Sequence, residues 1–413
     1  MKDNEWTRIL AWPGYRVYQQ EVNEAANTLK LWVRRKRGNR KLVCSGCGAK
    51  LPDTAVHEVY QREVRDLPWS VYRATVVVEL YRLRCPTCGV KTEKVPLLPS
   101  NAPFSKRFEE AVGMACESAS ARQVARRFKL APSTVRAIDL RYLERWQAGR
   151  RKPVLRQIGV DEIHLGKKAK FVTVVCDLET GEPNWMGRER KQETLDGFFQ
   201  QELSAFRRQR IEAACVDMWE PYTNSIRAYC PNCKIVYDRF HIMQHANEAV
   251  DEVRRAEFFR KKGELREVVK GKRWLLLTRW KNLELSKKRL LNQLFALNRK
   301  LFKAYVLKES LEHLWDYRYE GAMMNYLEKW IDQLKWQRLP AFDKLAWTLW
   351  NHVEGILNYC RTKVRFGVVE ALNANIKSVL RRGRGYKNLR YLLLKVRRMV
   401  VTNTEFIAIQ KAA

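Results

Sequence analysis

The sequence predicts a multidomain α+β protein: a β-rich N-terminal module, a short helical segment, and an α/β core interrupted by an all-helical insertion. Three observations predict it. Two C-x2-C pairs, Cys44/Cys47 and Cys85/Cys88, flank a β-rich run in the first quarter of the chain. From Gln157 onward the pattern changes to short apolar strand-like segments separated by turns. The stretch between Asp217 and Glu370 is far longer than a bare α/β core needs, and its excess, roughly Glu248 to Trp350, is helical, basic and rich in tryptophan.

The chain has 413 residues, a length that argues for two to four domains. Hydrophobic residues make up 46% and aromatic residues 11%, enough for real cores, which excludes wholesale disorder. The formal charge is +34, from 79 Lys and Arg against 45 Asp and Glu. A mixed solvated surface explains an excess of a few charges; an excess this large calls for a polyanionic partner. A ribosome-associated or membrane-surface protein is the competing explanation, and the multidomain length argues against a small basic tail protein. The first five residues do not open a signal peptide, and no apolar stretch approaches membrane-spanning length. The expected location is therefore a reducing cytoplasm, where paired cysteines bind metal more often than they form disulfides.

Residues 1–95 read as the β-rich module. The glycine after each pair, Gly48 and Gly89, permits the tight turn that aims two thiolates at one ion. Thr75 to Arg84 is a β-rich run leading into the second pair, and Tyr15 to Arg35 alternates weakly, as a hairpin would. Cys44, Cys47, Cys85 and Cys88 together offer four thiolates, the usual structural zinc site. His57 reads as a surface histidine rather than a ligand.

Residues 96–152 read as helices and a basic linker: Phe108 to Cys116, Ala121 to Phe128, a turn at Lys129 to Ala131, and a third helix from Pro132 to Trp146. These are helix-turn-helix proportions, with Ser133, Thr134 and Arg136 placed to face a major groove. Arg122, Arg126, Arg127, Arg136 and Arg141 supply a basic surface; the plainer reading is a helical linker.

In residues 153–247, strands are expected at Ile158 to Val160, at Phe171 to Leu178, and after the turn at Thr180-Gly181. An amphipathic helix from Leu195 to Phe206 follows, then a strand at Ile211 to Val216, a helix at Tyr222 to Tyr229 and a strand at Ile235 to Tyr237. Three strands, helix, strand, helix, strand is the order of a ribonuclease-H-like fold. The fourth strand there lies beside the first, so the strand-end acids Asp161 and Asp217 would be neighbours. Two such acids and a helical Glu370 suit two divalent cations for in-line phosphoryl displacement.

The ordered set of Cys pairs, Arg65-Asp-Leu-Pro68, Ile158-Gly-Val-Asp161-Glu162, Val216-Asp217-Met218, Asp238-Arg-Phe-His241 and Val369-Glu370-Ala-Leu-Asn373 with Lys377 resembles the ISL-three family of bacterial insertion-sequence transposases, which are DDE enzymes. The resemblance covers nearly the whole chain. It implies DNA cleavage at element ends and strand transfer, with Asp161, Asp217 and Glu370 as ligands of Mg2+ (or Mn2+). It also implies double-stranded DNA as partner, both terminal inverted repeats and target, bound by a homodimer or higher oligomer and no membrane. Cys230-Pro-Asn-Cys233 is a departure from that family pattern.

Rival acids are Glu162 and Asp177 for Asp161, Glu220 for Asp217, and Glu354 for Glu370. Asp238 and His241 read either as a helper of the metal site or as a strand-end turn held by an Asp-His hydrogen bond. Cys116, Cys176, Cys215 and Cys360 read as buried small residues. In residues 248–350, the insertion, Leu290, Leu294, Leu297 and Leu301 suit a dimer seam or, more commonly, an intradomain helix. In residues 351–413, Lys377 shares the Glu370 face, and Arg381, Arg382 and Arg384 form a basic turn for phosphate contacts. Two rivals to a transposase stand: an inactive zinc and helix-turn-helix DNA-binding protein, and a structure-specific nuclease on the same core.

Overall fold

The strand-forming segments build one five-stranded sheet in each of the two units into which the chain divides, Met1–Arg150 and Arg151–Ala413, and a further two-stranded sheet in the first. The computed structural model describes residues 3–36, 42–98, 101–151, 153–165, 171–260 and 269–412. Lys152 of the basic linker and residues 261–268 of the helical insertion lie outside the described residues.

The first unit opens with α1 (Asp3–Leu10), followed by the antiparallel hairpin β1 (Tyr15–Asn23) and β2 (Thr28–Arg35). Then come β3 (Leu42–Val43), β4 (Lys50–Leu51), β5 (Val56–Arg65), β6 (Arg73–Cys85) and β7 (Gly89–Thr92). The sheet runs β1-β2-β6-β5, with β7 also on β6. Its buried face, including Val17, Leu31, Val33, Val64, Val76 and Val78, packs on Trp6, Leu10 and Trp12.

Three helices complete this unit: α2 (Lys106–Ser118), α3 (Ala121–Phe128) and α4 (Pro132–Ala148). Their ends are written in the sequence. Ser105 accepts from the Phe108 N–H, Ser120 and Gln123 form a capping box, Lys129 closes α3 in a left-handed conformation, and Pro132 opens α4. The Arg65-Asp66-Leu67-Pro68 segment straps the sheet to these helices. Arg65 donates to the Phe128 carbonyl (2.6 Å) at the end of α3. Buried Asp66 accepts from Trp12 Nε1 (3.0 Å), Ser105 Oγ (2.6 Å) and Arg107 Nε (2.7 Å).

In the second unit, β8 (Gln157–His164), β9 (Phe171–Asp177) and β10 (Pro183–Arg188) form an antiparallel meander. Next are α5 (Gln192–Gln201), α6 (Ala205–Gln209), β11 (Ala213–Val216), α7 (Glu220–Tyr229) and β12 (Lys234–Tyr237). The strand order is β10-β9-β8-β11-β12, with β11 parallel to both β8 and β12. Helical elements follow: α8 (Arg239–Arg260), α9 (Arg273–Leu277), α10 (Leu285–Leu297), α11 (Arg299–Leu311), α12 (Glu320–Asp332), α13 (Pro340–Asn351), α14 (Val353–Thr362), α15 (Val368–Gly383) and α16 (Leu389–Ala412). One sheet face packs Ile158, Val160 and Val216 on Leu195, Phe198 and Tyr222. The other packs Val174, Cys176 and Val236 on Val369, Leu372 and Ile376 of α15 and Leu392 of α16.

Several elements differ from the sequence reading. The helix expected from Leu195 to Phe206 breaks at buried Leu203, and Ser204 caps a new short helix through the Arg207 N–H. Helix α8 starts directly after Asp238 and runs through Glu248, so the helical region begins at the strand end rather than ten residues on. The leucine seam is split between α10 and α11, where Asn298 Oδ1 caps the Leu301 N–H. Leu294 and Leu301 are buried inside the chain while Leu290 and Leu297 are exposed, so no continuous stripe exists. Cys116, Cys176 and Cys215 are buried and Cys360 is half-buried, as small residues. Burial pushes the Cys230 and Cys233 thiols up to about 12, and no third metal ligand joins them among the described residues.

Candidate active site and zinc centre

The two cysteine pairs sit on two hairpin turns, β3-β4 and β6-β7, tied together by a bridge between Cys44 and Glu93. Gly48 and Gly89 take φ of 76° and 70°, the left-handed turns that a side chain would strain. The sulfurs of Cys44, Cys47, Cys85 and Cys88 lie within 4.8 Å of one another, the Cys47 and Cys85 pair at 3.6 Å. That spacing is close to the edge of about 3.8 Å expected for a tetrahedron with Zn–S bonds of about 2.3 Å. Backbone N–H groups of Cys47 and Gly46 pull the Cys44 thiol down to about 7, towards the thiolate a metal needs. His57 is no ligand: its Nδ1 faces Arg84 at 3.0 Å.

On the helical segment, Ser133 and Arg136 are exposed in the first turns of α4 and Thr134 is half-buried. Arg122, Arg126 and Arg127 are exposed on α3. Arg141 does not belong to that surface. It donates to buried Glu109 (2.5 Å), which Arg145 also holds (2.6 Å), so its charge is spent inside the three-helix packing.

The acids gather at one end of the second sheet. Asp161 is not at a strand end, as its flanking apolar run suggested, but inside β8, opposite Val174. The shorter β11 pairs β8 only as far as Gly159, so beyond that point Asp161 loses its neighbour on that side. Asp217 follows β11 directly and Asp238 follows β12, its N–H bonded to the Val216 carbonyl at 2.8 Å. Gly159 lets α15 come close: a Cβ there would lie 2.5 Å from Val369 Cγ2. One turn along α15, Asn373 Nδ2 donates to Asp161 Oδ2 at 2.6 Å.

Each acid spends one oxygen on its own backbone. Asp161 Oδ1 accepts from the Glu162 N–H, Asp217 Oδ1 from that of Trp219 and Asp238 Oδ1 from that of Phe240. The second oxygens are left for partners across the site. Glu162, set aside in the sequence reading, is among them: Arg190 bridges Glu162 Oε1 (3.0 Å) and Asp217 Oδ2 (2.5 Å). Burial, then the Asp217 charge, pushes the Glu162 carboxyl up to about 7. Burial likewise raises Asp161 and Asp238, and the charge of Asp217 adds to both.

His241 Nδ1 stands 3.9 Å from Asp238 Oδ2, too far for the expected hydrogen bond. Glu370 is exposed in the first turn of α15 and forms no hydrogen bond or ion pair among the described residues. Among the described residues, no three carboxylates converge within 4.8 Å as the cysteines do. Lys377, Arg381 and Arg384 are exposed and Arg382 half-buried, with Arg384 closing α15 in a left-handed turn. Of the rival acids, Glu354 belongs to α14, which lies along β12 through Asn358 and the Ile235 carbonyl (3.0 Å), and Asp177 is engaged by Thr180.

The site fits a cation. Several of its buried polar atoms have no partner, among them the acceptors Glu162 Oε2 and Asn373 Oδ1. Buried and half-buried carboxylates that repel one another, beside unfilled acceptors, are the surroundings a divalent metal stabilises. Arg190 and Trp219, whose ring lies 4.5 Å from that guanidinium, were missed by the sequence reading; neither stands in a motif.

Comparison with known proteins decides the family. The DDE model of family ISL3, described as a transposase, matches residues 158–396. A helix-turn-helix domain model of the same family matches residues 93–143, and a zinc-finger model of the transposases of IS204, IS1001, IS1096 and IS1165 matches residues 40–93. The transposase for insertion sequence element IS1001 of Bordetella parapertussis is 33% identical over 394 residues, covering 94% of this chain and 95% of that protein. The chain belongs to the ISL3 family of bacterial insertion-sequence transposases. The transposase for IS1557 of Mycobacterium tuberculosis is 27% identical to this family member over 359 residues, 80% of each chain. The family spans map onto the elements: the zinc-finger model takes in the four cysteines, the helix-turn-helix model α2, α3 and most of α4, and the transposase model the segment from β8 into α16. Among the described residues, no helix is long and apolar enough to cross a membrane.

Proposed function

We propose that this chain binds the terminal inverted repeats of its own insertion sequence and catalyses divalent-metal-dependent strand cleavage and strand transfer. The core is read as ribonuclease-H-like, from its 3-2-1-4-5 strand order with three antiparallel and two parallel strands. Asp161, Asp217 and Glu370 are assigned as the metal-holding residues. The observation that carries the reading is the meeting of Asp161 and Asn373, because it brings the Glu370 helix across the strand that neighbours Asp217. Glu370 precedes Asn373 by three positions and so shares its face.

A bound divalent pair would activate a water or a 3′-OH and stabilise the leaving oxygen. The remaining work falls to the protein. Asn373 orients Asp161, and the backbone N–H groups of Glu162 and Trp219 fix one oxygen of Asp161 and of Asp217. Asp238, capping α8, adds negative charge beside Asp217, and His241 faces both Asp161 and Asp238; these two are assigned as helpers. The free cations Lys377, Arg382 and Arg384 suit phosphate contacts next to the site, and Ser133, Thr134 and Arg136 suit base and backbone contacts in a major groove. A dimer or higher oligomer on DNA completes the proposal, since two element ends must be joined.

The test is a labelled terminal-repeat duplex with Mg2+ or Mn2+, scored separately for nicking and for joined products. Nicking without joining would make the protein a nuclease, and specific binding without nicking an inactive DNA-binding derivative.

A further inference from the structure

The pair formed by Asp217 and Glu162 already has a cation, and it is a side chain. Arg190 stands two residues past β10, with Nη2 2.5 Å from Asp217 Oδ2 and Nη1 3.0 Å from Glu162 Oε1. Its guanidinium lies over the Trp219 ring at 4.5 Å. The turn that aims it is built for the purpose. Glu189 takes φ of 73°, a left-handed conformation rare for a side-chain-bearing residue. Its N–H bonds the Phe171 carbonyl at 2.9 Å and its carbonyl accepts from Thr173 Oγ1 at 2.8 Å.

The grip is nevertheless unfinished at both ends. Arg190 Nε and Glu162 Oε2 are buried with no partner, although a permanent Arg-carboxylate pair ordinarily satisfies both. The oxygen Arg190 holds is also the one Asp217 has left, because Oδ1 accepts from the Trp219 N–H. A divalent cation on Asp217 Oδ2 and a guanidinium at hydrogen-bond distance from that same oxygen would repel each other across a partly buried, low-dielectric space.

Resting on the reading of Asp217 as a metal ligand, we propose that Arg190 is an exchangeable counter-ion. It neutralises Asp217 and Glu162 in the metal-free protein and yields Asp217 Oδ2 when a divalent cation enters. The arginine thereby keeps the acidic end of the sheet folded before metal arrives and sets how tightly metal is held. It is a positioning residue, acting through Asp217.

The test is Mn2+ binding to the zinc-loaded full chain, followed by electron paramagnetic resonance of free Mn2+ and by thermal melting in chelator and in Mn2+. With the competitor removed, Arg190→Gln should bind Mn2+ about tenfold more tightly than wild type, a factor equal to about 1.4 kcal/mol. Its melting temperature should fall below wild type in chelator, and the gap should close in Mn2+. Arg190→Met removes the charge while keeping an unbranched stem beside Trp219 and covers a failure of the glutamine variant to fold; it should also bind Mn2+ more tightly than wild type. Unchanged or weaker Mn2+ binding by the folded variants overturns the proposal and makes Arg190 a fixed support. Asp217→Asn separates the two ideas. Loss of Mn2+ binding in that variant upholds Asp217 as ligand whatever Arg190 does, whereas wild-type Mn2+ binding overturns both.

Discussion

Asn373 Nδ2 donates to Asp161 Oδ2 at 2.6 Å across 212 residues of sequence. The contact pins a helix from the end of the chain to the middle strand of the second sheet, and Gly159 makes room for it. Asn373→Leu removes the donor while keeping the branched shape and leaves a half-buried carboxylate short of one partner, at a cost of about 1–3 kcal/mol. The expected outcome is a melting temperature lowered by a few degrees and cleavage reduced far more, while terminal-repeat binding is kept. Parallel melting, gel-shift and nicking assays check it; nicking at the wild-type rate would mean that Asp161 needs no such orientation.

Arg136 and Arg141 look alike in sequence and differ in the structure. Arg136→Ala should leave stability unchanged and weaken specific binding by about 1–3 kcal/mol if the side chain reads a base edge. Arg141→Ala strips one of two arginines from buried Glu109 and should destabilise the first unit by about 1–3 kcal/mol with little direct effect on sequence preference. Melting curves and competition with random duplex distinguish the two. An Arg136→Ala variant that loses equal affinity for both DNAs would mark a phosphate contact instead.

Zinc removal should act on the first unit alone. Four thiols packed within 4.8 Å repel as thiolates without a cation, and Cys88 is pushed up to about 12 by its sulfur neighbours. Purified protein should carry one zinc per chain, and Cys44→Ser or Cys88→Ser should lose it and melt the β3-β4 and β6-β7 hairpins. Elemental analysis and hydrogen exchange over Met1–Arg150 read this out. Zinc-free wild type with full protection there would refute the assignment.

Much of the architecture was legible because it depends on local chemistry. Ser120 with Gln123, Lys129 and Pro132 mark the ends of α3 and α4 in the sequence itself, and apolar runs mark β8, β9, β11 and β12. The adjacency of Asp161 and Asp217 followed from strand order alone. What local pattern does not carry is long-range partnering. Arg190 shows no motif, since its role depends on a left-handed turn meeting acids from two other strands. Glu162 ranks behind Asp161 on strand-end position, a local criterion that carries no sign of the Arg190 contact joining it to Asp217. The break at Leu203 and the Asn298 cap that splits the leucine row likewise depend on what each side chain touches.

The central claim is that Asp161, Asp217 and Glu370 hold the metal for DNA cleavage. Asp161→Asn, Asp217→Asn and Glu370→Gln preserve shape and remove one charge each. The decisive measurement is nicking and joining of a terminal-repeat duplex in Mg2+ by these variants, beside Glu354→Gln and a gel-shift control. All three should bind the repeat as wild type does and form neither product, with Glu354→Gln retaining activity. A Glu370→Gln enzyme that cleaves normally while Glu354→Gln is dead would move the third ligand to α14, and wild-type cleavage by all three would contradict the account.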